Sequence, residues 1–173
     1  MKIGVSSYCF SRLMKNGMSL EEAIEKALEN RNEIHGAAFD VRHFELLQRE
    51  TGHTTSLASA AYREATVALL AARYANLIAP KNVEFDVRVK YLDMIQKRSE
   101  LELSKLSAAN AKEAFRLASL QYDAGMTTLA DTNSAQLSVY RAELGYNMTL
   151  LAYNLAIVDY ELSSTVGIST IRL

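Results

Sequence analysis

The sequence predicts an all-α fold built from long antiparallel helical hairpins that pack in the manner of coiled coils. Three observations predict it. One proline and seven glycines in 173 residues leave few turns. Apolar residues recur in alternating three- and four-residue steps over long stretches, and no β-branched apolar run is bounded by turn residues. A chain of this length with few turns requires few, long elements.

The first helix is predicted from a capping signal. Ser19 can cap a helix N-terminus, and Glu22 three residues later completes a capping box. We expect the helix to run from Ser19 to about Glu50. Its apolar face consists of Leu20, Ile24, Ala27, Ile34, Ala38 and Val41.

A second helix is predicted from about Thr55 to Ala124, after an interruption at residues 51–55. Pro80 lies inside this span and either kinks the helix or divides it, because proline lacks the amide proton that an interior position donates. The apolar spacing resumes at once, which favours one kinked, continuous helix. Alanines at seam positions favour close helix approach: Ala58, Ala61, Ala65, Ala68, Ala72, Ala75 and Ala79. A second stripe consists of Val67, Leu70, Tyr74 and Leu77.

A turn followed by a third long helix is predicted between Tyr122 and Gly167. Gly125 can adopt the left-handed conformation that ends a helix. The Thr128 hydroxyl can accept a hydrogen bond from the Asp131 amide, and the Asp131 carboxylate would lie near the positive end of the next helix. One helix therefore ends and another begins within a few residues.

The third helix carries two apolar stripes, so we expect it to contact two neighbours and the chain to self-associate. The first stripe is predicted to form a coiled-coil seam with the preceding helix, which Arg141 interrupts, and the second stripe is expected to mediate self-association. At roughly 1.5 Å per residue, forty-residue arms would make a hairpin about 60 Å long. The first stripe is Leu137, Leu144, Met148, Leu151, Leu155, Val158 and Leu162; the second is Val139, Ala142, Tyr146, Tyr153, Ile157 and Tyr160; the matching upstream residues are Ala108, Ala111, Phe115, Ala118 and Tyr122.

Two stretches resemble the TolC-like outer-membrane efflux proteins in their order along the chain: Met18 to Asn30, and Arg116 to Asp131. The resemblance implies a helical, α-barrel-forming element in the periplasm or outer membrane, assembled as a homo-oligomer, a trimer in that family. It also implies that the turn meets a periplasmic adaptor protein. This chain lacks the family's membrane strands, and Thr132 to Ser134 depart from its pattern. The implied partner-contact residues are Gly125, Met126, Thr127, Thr128 and Asp131.

The remaining features predict a structural role and no enzyme. Nineteen basic and twenty acidic side chains are interspersed along the chain, so the sequence predicts no basic patch that would bind nucleic acid. The only histidines, His35, His43 and His53, lack the i, i+4 spacing of helical metal ligands, so we expect no metal, catalytic or cofactor site. The sequence shows no convincing signal peptide and no apolar run long enough to span a membrane.

The predicted domain covers residues 18–168, between a leader at 1–17 and a tail at 169–173. One alternative concerns the first part of the chain, because Met1 to Ala27 resembles the N-terminus of sugar-phosphate isomerase/epimerase barrels. That resemblance implies a fragment or fusion of a metal-dependent enzyme. A parallel barrel needs repeated strand and helix units, and the residues after Ser19 show continuous helical periodicity instead. A helical bundle without a transport role is a third possibility.

Overall fold

The structure is a computed structural model that describes residues 19–165. No strand occurs in that range, and helices account for almost all of it. The predicted all-α class, with long helices packed together, is confirmed. The leader at 1–17 and the tail at 169–173 lie outside the described residues. The helices are α1 (Leu20–Asn30), α2 (Asn32–Thr54), α3 (Ala60–Asp123) and α4 (Leu129–Thr165).

The chain divides into two compact units, and the division passes through two of the helices. The first unit contains the described residues up to Arg88 and from Glu161 onward, and the second is Val89–Tyr160. Helices α3 and α4 contribute residues to both units, whereas α1 and α2 belong to the first alone.

The single helix predicted from Ser19 to about Glu50 is wrong in one respect, because the chain breaks at Arg31. The capping box at Ser19 is present as predicted, with the Glu22 amide donating to the Ser19 hydroxyl at 3.2 Å. Arg31, however, has extended backbone angles, φ −74° and ψ 127°. Its side chain is buried and paired with Asp86, a contact between residues 55 positions apart. Periodicity along one helix cannot reveal such a contact.

The interruption predicted at residues 51–55 is also displaced, since α2 continues to Thr54. The hydroxyl of Thr51 donates to the Leu47 carbonyl at 2.6 Å, and this local bond is compatible with helical backbone. A Cβ at Gly52 would lie 3.3 Å from the Tyr62 ring, so the glycine allows close approach. Helix α3 then begins after Ser59, whose hydroxyl accepts from the Tyr62 amide at 3.2 Å.

Helix α3 is continuous for 64 residues, with Pro80 inside it. Continuity through the proline agrees with the predicted helix from about Thr55 to Ala124. Proline removes one interior hydrogen bond. Val83 and Val87 follow within two turns and are fully or almost fully buried, so packing resumes immediately beyond the proline.

The core of the first unit is made of small side chains. Of the seven predicted seam alanines, Ala65 and Ala72 are buried, and Ala58 lies in the turn before α3. Gln48 donates to Thr66 at 2.9 Å, and Glu45 pairs with Arg73 at 2.9 Å. Earlier residues of α2 therefore contact later residues of α3, so the two helices are antiparallel where they meet. The buried apolar residues of this unit are Ala23, Ala27, Ala65, Leu69, Ala72, Val83 and Val87.

In the second unit, contacts between α3 and α4 also run in reverse order. The hydroxyls of Ser104 and Thr149 are hydrogen-bonded at 2.6 Å, and Lys112 pairs with Glu143 at 2.9 Å. The two segments therefore run in opposite directions. Neither contact was predicted from the sequence.

The predicted assignment of the two α4 stripes was wrong. The stripe predicted as the seam faces away from α3, and all its members except Leu162 are exposed. The second stripe packs inward: Tyr153 and Tyr160 are buried, and the Tyr160 ring lies 5.6 Å from that of Tyr91. The physical reason is that an aromatic ring buries a large apolar area, and the Tyr160 ring gains a ring partner in Tyr91 on the facing helix.

Candidate functional site

The turn between α3 and α4, residues 124–128, closes with a Schellman motif. Gly125 has φ +71°, the left-handed conformation that the sequence predicted. The Met126 amide donates to the Gln121 carbonyl at 2.8 Å, and the Gly125 amide donates to the Tyr122 carbonyl at 2.9 Å. Two carbonyls at the end of α3 therefore have partners, and the chain reverses within five residues.

Thr128 and Asp131 form the reciprocal cap at the start of α4. The Asp131 amide donates to the Thr128 hydroxyl at 3.2 Å, as predicted. The Asp131 carboxylate accepts from the Thr128 hydroxyl at 2.6 Å, from the Thr128 amide at 3.3 Å and from the Thr127 hydroxyl at 3.1 Å. These bonds fix the geometry of the turn although its side chains are largely exposed.

The same hydrogen bonds lower the pKa of Asp131. The Thr128 hydroxyl is the largest cause, followed by the Thr128 amide and the Thr127 hydroxyl, all of which stabilise the ionised carboxylate. Asp131 lies in the first turn of α4, where the helix dipole also favours a negative charge. The carboxylate therefore acts as a cap and has no feature of a general base.

The turn presents a projecting apolar side chain. Met126 is 80% exposed, and Leu129 and Tyr122 beside it are also exposed. The five residues predicted as partner contacts thus lie together on one turn, between Gly125 and Asp131. Their contact with an adaptor protein stays a prediction.

The second candidate surface is the α4 outer stripe, an apolar row on the side of α4 that faces away from α3. Its members lie two positions from inward-facing residues, for example Leu151 beside Tyr153. Two residues correspond to about 200° around a helix, so the two faces are nearly opposite. The members are between 47% and 66% exposed. They are Leu137, Tyr140, Leu144, Met148, Leu151, Leu155 and Val158.

Helix α3 carries a matching surface within the second unit, the α3 outer stripe. Leu106 lies two positions from the buried Ala108, and Leu117 lies two positions from the half-buried Phe115. Each helix of this unit therefore has one apolar face toward the other helix and a second on its far side. The α3 outer stripe consists of Val89, Leu92, Ile95, Leu103, Leu106, Leu117 and Leu120.

The first unit contains an ion-pair cluster centred on the buried Arg31, whose two acidic partners are partly exposed. Its guanidinium donates to Asp86 at 2.8 Å and to Glu33 at 3.2 Å. Its Nε lies 2.9 Å from the other Glu33 oxygen without forming a well-directed hydrogen bond. The adjoining cleft, about 680 Å³, is lined mainly by apolar side chains such as Val83 and Ile78. The cluster joins the break after α1 to α3 and carries no arrangement of nucleophile and base.

Other chemical groups in the described residues give no further site. No three His, Cys, Asp or Glu side chains in residues 19–165 lie close enough together to hold a metal ion. Within the same range, no helix has the length and apolar character needed to cross a membrane. Many exposed or partly exposed charges are paired locally, as in Glu113 with Arg116 and Lys97 with Glu100.

Comparisons with protein-family models, with curated proteins and with solved structures gave no match to this chain.

Proposed function

We propose that this chain is a structural component of a TolC-like efflux duct, located in the periplasm or outer membrane. Its second unit would serve as an antiparallel, coiled-coil-like hairpin that assembles side by side with other copies. The turn at Gly125 would contact a periplasmic adaptor protein. Function would then depend on shape and assembly, and the chain would not act as an enzyme. The resemblance implies three copies.

The observation that carries the proposal is the opposed placement of two apolar faces on each helix of the second unit. The inward face and the outer stripe of one helix are separated by about 200° around the helix axis, which is about 160° when measured the shorter way. In a square four-helix bundle, neighbouring helices lie about 90° apart. A separation near 160° instead favours a single, gently curved layer of helices, which is the wall of a duct. Exposed apolar surfaces of this extent also favour burial in an assembly.

The Schellman turn supports the proposed role of the tip. A contact surface needs fixed geometry, and the capping bonds from Thr128 and Asp131 supply it without covering Met126. An exposed methionine is a flexible, polarisable side chain that adapts to an apolar pocket. We therefore expect Met126→Asp to abolish adaptor binding without changing the helicity of the chain.

Cysteine cross-linking tests the layer directly. In a Cys9→Ser background, Leu106→Cys and Met148→Cys place thiols on the two outer stripes, at neighbouring heights because Ser104 contacts Thr149. Side-by-side assembly would join each chain to two others, and oxidation would give a ladder of dimers, trimers and larger species. A matched control replaces Met148→Cys by Tyr153→Cys, whose position faces inward. A chain that remains monomeric after oxidation would contradict the proposal.

A further inference from the structure

The α4 outer stripe is flanked by two charges that have no partner within the described residues. Between Leu137 and Tyr160, α4 contains only three charged side chains. Glu143 faces α3 and pairs with Lys112. Arg141 and Asp159 have no ion pair or hydrogen bond in the part of the chain that the structure describes. Exposed arginines on α3, by contrast, are paired, as in Arg116 with Glu113.

These two charges lie on the same flank of the stripe. They are separated by 18 residues, which is about five complete helical turns, so they occupy the same angular position. A two-fold axis that relates two antiparallel helices exchanges the ends of the helices and keeps each flank on its own side. An axis placed midway between Arg141 and Asp159 therefore brings the arginine of one helix beside the aspartate of the other, twice in each pair.

Four apolar residues at the middle of the stripe have nearly the same centre of symmetry. Leu144 and Leu155 are equidistant from a point between residues 149 and 150, and so are Met148 and Leu151. An axis there lies within about one residue rise, roughly 1.5 Å, of the centre that the charges require. The apolar contacts and the charge contacts can thus form together in a single register. Self-complementarity of this kind is the requirement for an isologous two-fold interface.

We propose that the α4 outer stripe binds a second copy of this chain, with the two α4 helices antiparallel. Leu144 packs against Leu155 of the second copy, Met148 packs against Leu151, and Arg141 pairs with Asp159. The exposed apolar side chains leave water, and both unpaired charges gain a partner at the rim of the contact.

A parallel pairing through the same stripe leaves those charges unpaired. A two-fold axis parallel to the helices brings opposite flanks together at equal height. At the height of Arg141, the opposite flank presents the uncharged Tyr140, and the nearby Glu143 is already paired with Lys112. The antiparallel orientation is therefore favoured, because it pairs Arg141 with Asp159 and the parallel orientation does not.

The antiparallel pairing of two α4 helices goes beyond the proposed function, and it would control whether the α4 outer stripe is free to join a layer. Two copies joined through α4 cover the stripe that would otherwise meet α3 of a neighbouring copy. The pair is thus a resting state that must separate before a layer can extend through α4. Its existence does not depend on an adaptor or on a membrane.

Two thiol variants in a Cys9→Ser background test the orientation. Leu144→Cys and Leu155→Cys are prepared as separate proteins, one with a size tag. We expect oxidation of the mixture to give the mixed disulfide dimer, and each variant alone to stay largely uncross-linked. Self-linkage of each variant as strong as mixed linkage would overturn the proposal, because it indicates a parallel pair. A ladder from the Leu106→Cys and Met148→Cys protein without any mixed dimer would overturn the pairing and support the layer; a monomer in every case would contradict both.

A charge exchange tests the pairing of Arg141 with Asp159. Because each pair contains the contact twice, we expect Arg141→Asp or Asp159→Arg alone to weaken dimerisation about tenfold in sedimentation equilibrium. The variant with both changes should recover the original dissociation constant to within about twofold. Circular dichroism at low protein concentration checks that each monomer remains helical. Equal weakening in the single and double variants would overturn the charge pairing.

Discussion

The left-handed turn at Gly125 gives the sharpest prediction for a single substitution. A Cβ added there meets no atom within 4 Å, so Gly125→Ala changes backbone strain and little else. Forcing an alanine to φ +71° costs about 1–2 kcal/mol. For a chain of this size, each kcal/mol corresponds to about 2–4 °C in melting temperature. We therefore expect Gly125→Ala to melt about 2–8 °C below the original chain, and Gly125→Val to melt lower still.

Gly145 provides the matched control. It lies inside α4, and a Cβ there also meets nothing within 4 Å, but its φ is not positive. Replacing a helical glycine by alanine gains up to about 1 kcal/mol. Circular dichroism melts should therefore move in opposite directions for Gly125→Ala and Gly145→Ala. A melting temperature for Gly125→Ala that equals or exceeds the original would refute the assignment of the turn.

Three further substitutions address the caps and the ion-pair cluster at Arg31. Thr128→Ala removes the cap of α4 and should cost about 0.5–2 kcal/mol in urea denaturation; no loss would show that the cap contributes nothing. Because the folded-state pKa of Asp131 is lowered, its contribution is present above the ordinary value of 3.8 and is lost as the pH falls through the folded pKa. Asp131→Asn should flatten the acid side of the stability curve, and an unchanged acid limb would contradict this. Arg31→Ala should lower the free energy of unfolding by about 1–3 kcal/mol, because the Asp86 carboxylate loses its charged partner. The loss stays in this range because that carboxylate is a third exposed, so water can hydrate it. A cost below about 0.5 kcal/mol would mean that the cluster is structurally neutral.

The features that the sequence predicted correctly are those encoded by neighbouring residues. The capping box at Ser19 and Glu22, the left-handed Gly125 and the hydrogen bond from the Asp131 amide to Thr128 each depend on a few adjacent positions. The starts of α1 and α4 could therefore be located to within a few residues, whereas the start of α2 at Asn32 was not predicted. The all-α class follows from the same local patterns, because so few turn residues are available.

The features that were missed depend on residues far apart in the chain. The break at Arg31 coincides with a contact between Arg31 and Asp86, which no helical periodicity can reveal. The two α4 stripes have the same spacing and are both apolar, so spacing alone could not decide which one packs against α3. That choice depends on how Tyr153 and Tyr160 fit the facing helix, and it reverses the predicted seam.

The central claim is that the outer apolar stripes are contact surfaces between copies of this chain. Sedimentation equilibrium over a range of concentrations measures it most directly. We predict that the average mass rises above the monomer value of 19.2 kDa as concentration increases. Leu151→Glu, which places a charge in the middle of the α4 outer stripe, should reduce the rise without lowering helicity. A chain that remains at the monomer mass at high micromolar concentration would contradict the claim.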